Sequence, residues 1–368
     1  MIRLEHVTKK FAETIAVDDV SMTVEEGQVC VLIGPSGSGK TTLLRMINRL
    51  IEPTSGRILL NGKDTGGIRP DILRRSIGYV IQNVGLFPHL TVTANIAVVP
   101  GLLHWGKLRV KKRTDELLEM VGLDPSIYGR KYPIELSGGE AQRIGVARAL
   151  AGDPPLLLMD EPFGAVDPLT RQKLQLEFAN IQKKLKKTVI LVTHDMDEAL
   201  RLADKIAVLK SGRLIQFDTP DEILAKPVNK FIHDFIGADR ALKRLSHLKV
   251  EKFIKPACKI RTEASIQEGL KLTCEQPSAW VVNDEGQFVG WIDRKILTQV
   301  NTLKEAIVFL SGEEIAIDKR ATLRDGLSLM LSQGVRNLPV IDENKILIGE
   351  LNLKDIEEVT ADGEKRIG

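Results

Sequence analysis

A chain of 368 residues is long enough for two or three domains, and 43% hydrophobic with 27% charged residues is the balance of an ordinary globular protein. A formal net charge of +3 argues against a nucleic-acid-binding or membrane-binding tail, and three scattered cysteines (Cys30, Cys258, Cys274) exclude a disulfide framework or a zinc site and fit a reducing cytoplasm. No apolar run approaches the roughly 20 residues that cross a bilayer: the longest, 96–105, is interrupted by Pro100 and Gly101, and the start at Met1 has no leader core.

Taken in chain order, 15–17 and 21–24 predict strands of an antiparallel layer. The continuous apolar run 29–33 predicts a strand buried on both faces. It leads into Gly34-Pro35-Ser36-Gly37-Ser38-Gly39-Lys40-Thr41 and a helix over 40–49. Between Asn83 and about Pro155 the strand pattern stops, and helices over 109–121 and 138–151 predict a helical insert. Runs at 156–159 and 189–192 predict two more buried strands, with a helix over 174–185 between them. This βαβ rhythm predicts an α/β domain over 1–237 with a mostly parallel core. A stretch rich in Lys and Arg, Arg240 to Lys255, reads as a connector, placed at 238–250.

An internal repeat follows. Residues 264–272 align with 321–329, Val281-Val282-Asn283-Asp284 aligns with Val340-Ile341-Asp342-Glu343, and Gly290 matches Gly349. Two α+β units are predicted, 251–310 and 311–368, each reading helix, strand, turn, strand, helix. Two such small units bury a shared core better than either alone.

The chemistry concentrates in the first domain. Glycines let the backbone turn tightly, so that successive N–H groups converge on phosphate oxygens, and the helix that follows aims its positive end at the same oxygens. Gly34, Pro35, Ser36, Gly37, Ser38, Gly39, Lys40, Thr41 and Thr42 are therefore the residues expected on the phosphates of ATP. Lys40 would neutralise the outer phosphates and Thr41 would ligate Mg²⁺. Asp160 closes a buried strand and is expected to hold the same Mg²⁺, and Glu161 is the candidate base for the attacking water. His194, at the end of another buried strand, points at the same sheet edge and is expected to hydrogen-bond the γ-phosphate and orient the water. Ser137-Gly138-Gly139 opens a helix, with Ser137 as its N-cap and the exposed N–H groups as a second anion site. Two phosphate-reading helix ends in one chain predict that two copies pair and share their nucleotides.

With Leu136-Ser137-Gly138-Gly139-Glu140 between the phosphate loop and Asp160-Glu161, residues 1 to about 235 resemble the ATP-binding-cassette (ABC) family. The resemblance implies a P-loop ATPase acting as a head-to-tail homodimer, with each ATP between the phosphate loop of one copy and the signature of the other. It implies that Phe11 stacks on adenine, that Gln82 touches Mg²⁺ and the water, and that Gly164-Ala165-Val166-Asp167 links the two sites. Residues 80–92 resemble those of the osmoprotectant (betaine, carnitine, choline) uptake ATPases. In such bacterial importers the ATPase is a separate subunit, peripheral on the cytoplasmic face of the membrane. It docks on a permease that an extracytoplasmic substrate-binding protein feeds, and the docking segment is expected at 87–93. The repeat resembles a tandem CBS module. There Asp355 matches the aspartate that holds a ribose, Asn352 stands at the usual Ser/Thr place, and Asp293 and Ile296 depart from the pattern in the first copy. Bound adenosine nucleotide, bound cyclic di-AMP and a purely structural or dimerising module all remain open.

Two other functions stand beside osmoprotectant import: an importer ATPase for another polar solute such as an amino acid, and a soluble ABC protein acting on ribosomes or DNA. The latter types usually carry a second ATP domain or a long coiled-coil insert, and neither pattern occurs. A nucleotide-sensing regulator built on an idle cassette is opposed by the complete set of catalytic residue types.

Overall fold

The computed structural model describes residues 1–82, 85–164, 166–237, 239–274, 277–309 and 315–361. The chain divides into two compact units, Met1–Ile223 with Pro227–His233, and Leu224–Lys226 with the residues from Asp234 onward. The division falls earlier than residue 237.

In the first unit, β1 (Ile2–Phe11), β2 (Thr14–Val24), β4 (Ser55–Leu60) and β5 (Lys63–Asp64) form an antiparallel sheet in the order β2-β1-β4-β5. The two short runs expected at 15–17 and 21–24 belong to one strand, β2, which pairs with β1 through several register shifts. Such irregularities let a long edge strand twist with its partner.

The second sheet holds the nucleotide motifs. It comprises β3 (Val29–Ile33), β6 (Ile77–Val80), β7 (Leu156–Asp160), β8 (Thr188–Val192), β9 (Lys205–Lys210) and β10 (Arg213–Asp218), in the order β10-β9-β3-β8-β7-β6. All neighbours are parallel except β10, which is antiparallel to β9. Every residue of β3, β7 and β8 is buried, the unbroken apolar pattern of strands covered on both faces. Helix α1 (Lys40–Ile47) closes the space between the sheets with Leu43, Leu44, Met46 and Ile47. Each such side chain contributes about 1.5–3 kcal/mol of gross burial free energy.

Between β6 and β7 the chain is helical, as the sequence pattern predicts. It contains α3 (Val92–Leu102), α4 (Lys107–Met120), α5 (Pro125–Tyr128) and α6 (Gly138–Leu150), while α2 (Pro70–Arg75) precedes β6. After β7 come α7 (Pro168–Leu185) and, after β8, α8 (Met196–Leu202).

The second unit contains the repeat. Strands β11 (Lys259–Arg261), β12 (Ser278–Val282), β13 (Phe288–Asp293) and β14 (Val308–Phe309) form one sheet, and β15 (Ile317–Asp318), β16 (Asn337–Ile341) and β17 (Leu347–Asn352) form the other. In each copy a parallel pair adjoins an antiparallel pair, and the register agrees: Ile260 pairs with Val281 and Val281 with Gly290, while Ile317 pairs with Val340 and Val340 with Gly349. The matched glycines have one cause. A Cβ on Gly290 would lie 2.3 Å from the Val308 carbonyl oxygen, and one on Gly349 would lie 2.5 Å from that of Lys255.

The two copies meet through their strand turns, where Phe288 N donates to Lys345 O and Leu347 N to Gly286 O. Val282 and Phe288 of the first copy share a core with Leu338, Val340 and Leu351 of the second. The stretch read as a connector is helical over Arg240–His247, and Leu245, Leu248 and Val250 are buried in this same core. Its cations are drawn into the packing rather than left to solvent, Arg240 being buried and Arg244 donating to Val359 O, so charge content alone read it as a linker.

Candidate functional site

Register places the site. Val192 of β8 pairs with Leu32 of β3 on one side and with Asp160 of β7 on the other. The phosphate loop, Asp160-Glu161 and Thr193-His194 therefore leave the sheet side by side at its carboxyl edge, where open α/β sheets bind ligands.

The loop from Gly34 to Gly39 is built by close approach. A Cβ on Gly34 would lie 2.1 Å from the Leu209 carbonyl oxygen, and one on Gly39, at φ 98°, would lie 2.3 Å from that of Ala16. Pro35, Ser36 and Gly37 are exposed, and Ser38 is buried. Lys40 opens α1 and is buried, its Nζ donating to Gly34 O at 2.7 Å and Pro35 O at 2.9 Å, with Ser38 Oγ at 3.4 Å. Burial pulls its ammonium below the ordinary lysine range, and the Glu161 and Asp160 carboxylates oppose that. Thr41 and Thr42 follow, both half-buried.

Asp160 is only 5% exposed, and Thr41 Oγ1 donates to its Oδ1 at 3.0 Å. Burial raises its carboxyl above the usual range, with the Thr41 bond opposing. A buried carboxylate held beside a hydroxyl is a fit partner for a hard cation. Among the described residues no group of three or more His, Cys, Asp and Glu converges, so the remaining ligands of such an ion must come from elsewhere, as phosphate oxygens and water supply them to Mg²⁺. The glycine cradle, the Lys40 ammonium and the Thr41–Asp160 pair thus fit ATP with Mg²⁺.

Glu161 sits in the left-handed region at φ 44°, a conformation that costs a non-glycine residue about 1–3 kcal/mol and gathers at functional sites. It is held there by Glu161 N donating to Val192 O and by Gly164 N donating to Glu161 O. The side chain is turned so that Gln82 Nε2 donates to its Oε2 at 3.0 Å, and His194 Nδ1 stands 3.5 Å from the same oxygen. Gln82, Glu161 and His194, which are far apart in sequence, are brought together. Of the loop 164–167, Ala165 lies outside the described residues, as do Asn83 and Val84 after Gln82. Asp167 caps α7 through Thr170 N.

Ser137 is the N-cap of α6, accepting from Glu140 N at 3.3 Å while Glu140 Oε2 accepts from Ser137 N at 2.8 Å. This capping box leaves Ser137 and Gly138 exposed and Gly139 half-buried. The signature therefore presents a helix N-terminus to solvent. Phe11 is exposed at the end of β1, with Lys9 Nζ 4.9 Å from its ring centroid. Asp355, in the second unit, is only 7% exposed, and Lys255 Nζ donates to its Oδ1, leaving Oδ2 buried without a partner among the described residues. Asn352 and Asp293 occupy equivalent places as caps, accepting from Lys354 N and Lys295 N.

Sequence reading missed Asn95. It is fully buried in α3, donates to the carbonyls of Phe87, Leu90 and Thr91, and accepts from Phe87 N, so it shapes the loop after Gln82. An amide within the apolar run of α3 was the available signal.

A family model described as "ABC transporter" matches residues 17–164, and one described as "CBS domain" matches 309–362. The osmoprotectant import ATP-binding protein OsmV of Salmonella typhimurium is 44% identical over 100% of this chain and 98% of its own length. The chain belongs to the ABC transporter ATP-binding proteins.

This ABC ATPase is also 43% identical to the glycine betaine/carnitine/choline transport ATP-binding protein OpuCA of Bacillus subtilis, over 98% of this chain and 97% of that one. Among solved structures, the dimeric post-hydrolysis state of the cassette MJ0796 bound to ADP and Pi superposes with a TM-score of 0.54 at 34% identity, covering 60% of this chain and 99% of that one. The activity is ATP hydrolysis coupled to transport.

Proposed function

We propose that the chain is the ATP-hydrolysing subunit of an importer for a quaternary-amine osmoprotectant (glycine betaine, carnitine or choline). A separate membrane permease would carry the solute, fed by an extracytoplasmic binding protein, and the CBS unit would regulate. The observation that carries this reading is that osmoprotectant ATPases match the chain from end to end, the CBS unit included. Among the described residues no helix is long and apolar enough to cross a membrane, in keeping with a peripheral subunit on the cytoplasmic face. Two copies would pair head to tail, the exposed Ser137–Gly139 helix end of one facing the phosphate loop of the other.

Within each site, Thr41, Gln82 and Asp160 would hold Mg²⁺, which supplies charge neutralisation for the phosphates. Lys40 and the loop N–H groups would hold the phosphates, Phe11 would take the adenine, Glu161 would accept a proton from water, and His194 would orient that water. Uptake of labelled glycine betaine, carnitine and choline tests the cargo in cells carrying the permease with and without this chain. Chain-dependent uptake of at least one is expected, and uptake of an amino acid alone would favour the other importer reading.

Docking is assigned to the loop after Gln82. Phe87 is 42% exposed on a loop that Asn95 pins, and no catalytic contact uses it. Phe87→Glu should remove uptake while ATPase of the isolated chain stays within about twofold, because surface substitutions away from packed features are usually near neutral. Loss of soluble ATPase in Phe87→Glu would show the ring to be part of the cassette's packing.

In the CBS unit, a ribose at Asp355 must compete with Lys255. Asp355→Ala should abolish binding of ATP or cyclic di-AMP to that unit, read by calorimetry on the full chain with Lys40→Ala as background. Unchanged heats would assign the Lys255–Asp355 pair a structural role.

A further inference from the structure

Glu198 lies in the first turn of α8 and is only 5% exposed. Its Oε1 has no hydrogen-bond partner among the described residues. Its Oε2 faces Thr193 Oγ1 at 2.9 Å, and the same hydroxyl accepts from Asp195 N at 3.1 Å. A hydroxyl carries one proton, so Thr193 has that proton free for Glu198. One buried carboxyl therefore braces the turn Thr193-His194-Asp195 from below. Asp195 secures the far end: its Oδ1 caps α8 through Asp197 N and Glu198 N at 2.9 and 3.2 Å. Its Oδ2 stands 3.9 Å from Arg171 Nη1, and Arg171 Nη2 donates to Val166 O. Between these two anchors His194 is exposed, free of α8, and 3.5 Å from Glu161.

We propose that Glu198 is a positioning residue for ATP hydrolysis, which holds the Thr193 hydroxyl so that the turn presents His194 to Glu161. This rests on the reading of Glu161 and His194 as the hydrolytic pair. An unpartnered oxygen on a buried carboxyl is costly to the fold, and a role in holding the catalytic turn accounts for keeping it.

Such a brace responds to pH. Burial pushes the Glu198 carboxyl up to about 7, with the Thr193 bond and Arg171 opposing and Asp195 and Glu161 adding to it. The strand packed under α8, β3, brings aliphatic side chains, its Cys30 belonging to the core on the α1 side of the sheet. From α7 come Arg171 and Gln175, the latter bonded by Arg201 of α8. As pH rises through about 7 the carboxyl ionises, and its bond from Thr193 becomes charge-assisted and stronger. The hold on the turn tightens on the alkaline side.

The test measures kcat and KM for ATP at pH 6 and pH 8 in the full chain and two variants. Glu198→Ala should lower kcat about tenfold at pH 8 with KM within about twofold, the cost of a misplaced catalytic group. Glu198→Gln keeps shape and acceptor but never ionises, so it should match wild type at pH 6 and fall about threefold below it at pH 8. Wild-type kcat in Glu198→Ala overturns the proposal. So does a ratio of wild type to Glu198→Gln that is the same at both pH values, or a KM that rises as kcat falls. If Glu198→Ala melts below the assay temperature, the Gln ratio decides alone. His194→Ala with unchanged kcat would instead sink the underlying assignment of His194, which keeps the two failures distinct.

Discussion

Glu161→Gln should reduce steady-state ATP hydrolysis by about 10²–10⁴-fold, the usual worth of a positioned general base, while leaving ATP affinity close to wild type. The substitution removes the group that would accept the water's proton and little else. The amide oxygen can still accept the Gln82 Nε2 hydrogen bond seen at 3.0 Å, and the main-chain bonds that hold residue 161 at φ 44° do not involve the side chain. Binding without turnover should let ATP accumulate between paired copies, so size-exclusion chromatography with ATP should show a dimer that wild type forms only transiently. Phosphate release checks the first outcome. A variant that hydrolyses at the wild-type rate would remove Glu161 from the reaction and leave His194 as the group to examine.

Lys40→Ala should weaken ATP binding about ten- to 100-fold, because hydrogen bonds to charged groups are worth roughly 1.5–3 kcal/mol and this ammonium would face phosphates already in the ground state. Lys40 Nζ is bonded to Gly34 O, Pro35 O and Ser38 Oγ of its own loop. The ammonium is thus held, largely desolvated, against the loop expected to take the phosphates. The same bonds brace the loop, so a melting curve must accompany the equilibrium titration. A small shift in melting with a large loss of affinity is the expected pair of results. Unchanged affinity would mean that the loop N–H groups alone hold the phosphates.

Much of the architecture was legible because its causes are local. The runs at 29–33, 156–159 and 189–192 have the unbroken apolar pattern of strands covered on both faces, and β3, β7 and β8 are buried at every residue. Ser137 ahead of Gly138-Gly139 is legible as an N-cap from residue type alone, and in the structure Glu140 completes a capping box. The repeat offset matches Gly290 to Gly349, because a close chain approach demands the same residue in both copies. The helix Arg240–His247 reads as a connector because Arg240, Lys243 and Arg244 stand close together, whereas the burial of Leu245 and of Arg240 itself is decided by packing.

By itself, then, the sequence determined the phosphate loop, the strand–helix rhythm around it, the capped signature helix and the duplicated second unit. Each depends on residue types within one turn or one strand, where backbone angles and side-chain periodicity act over a few residues. Tertiary structure alone decided that β3 lies beside β8 and β8 beside β7, so that Lys40, Asp160, Glu161 and His194 share one edge. It also decided that Glu161 is left-handed, that Asn95 pins the loop after Gln82, and that Glu198 is buried under the His194 turn. Strand order and the burial of a polar side chain are set by packing between elements, as where Val29 of β3 meets Val189 of β8, and the energy of that packing leaves no mark on the local pattern.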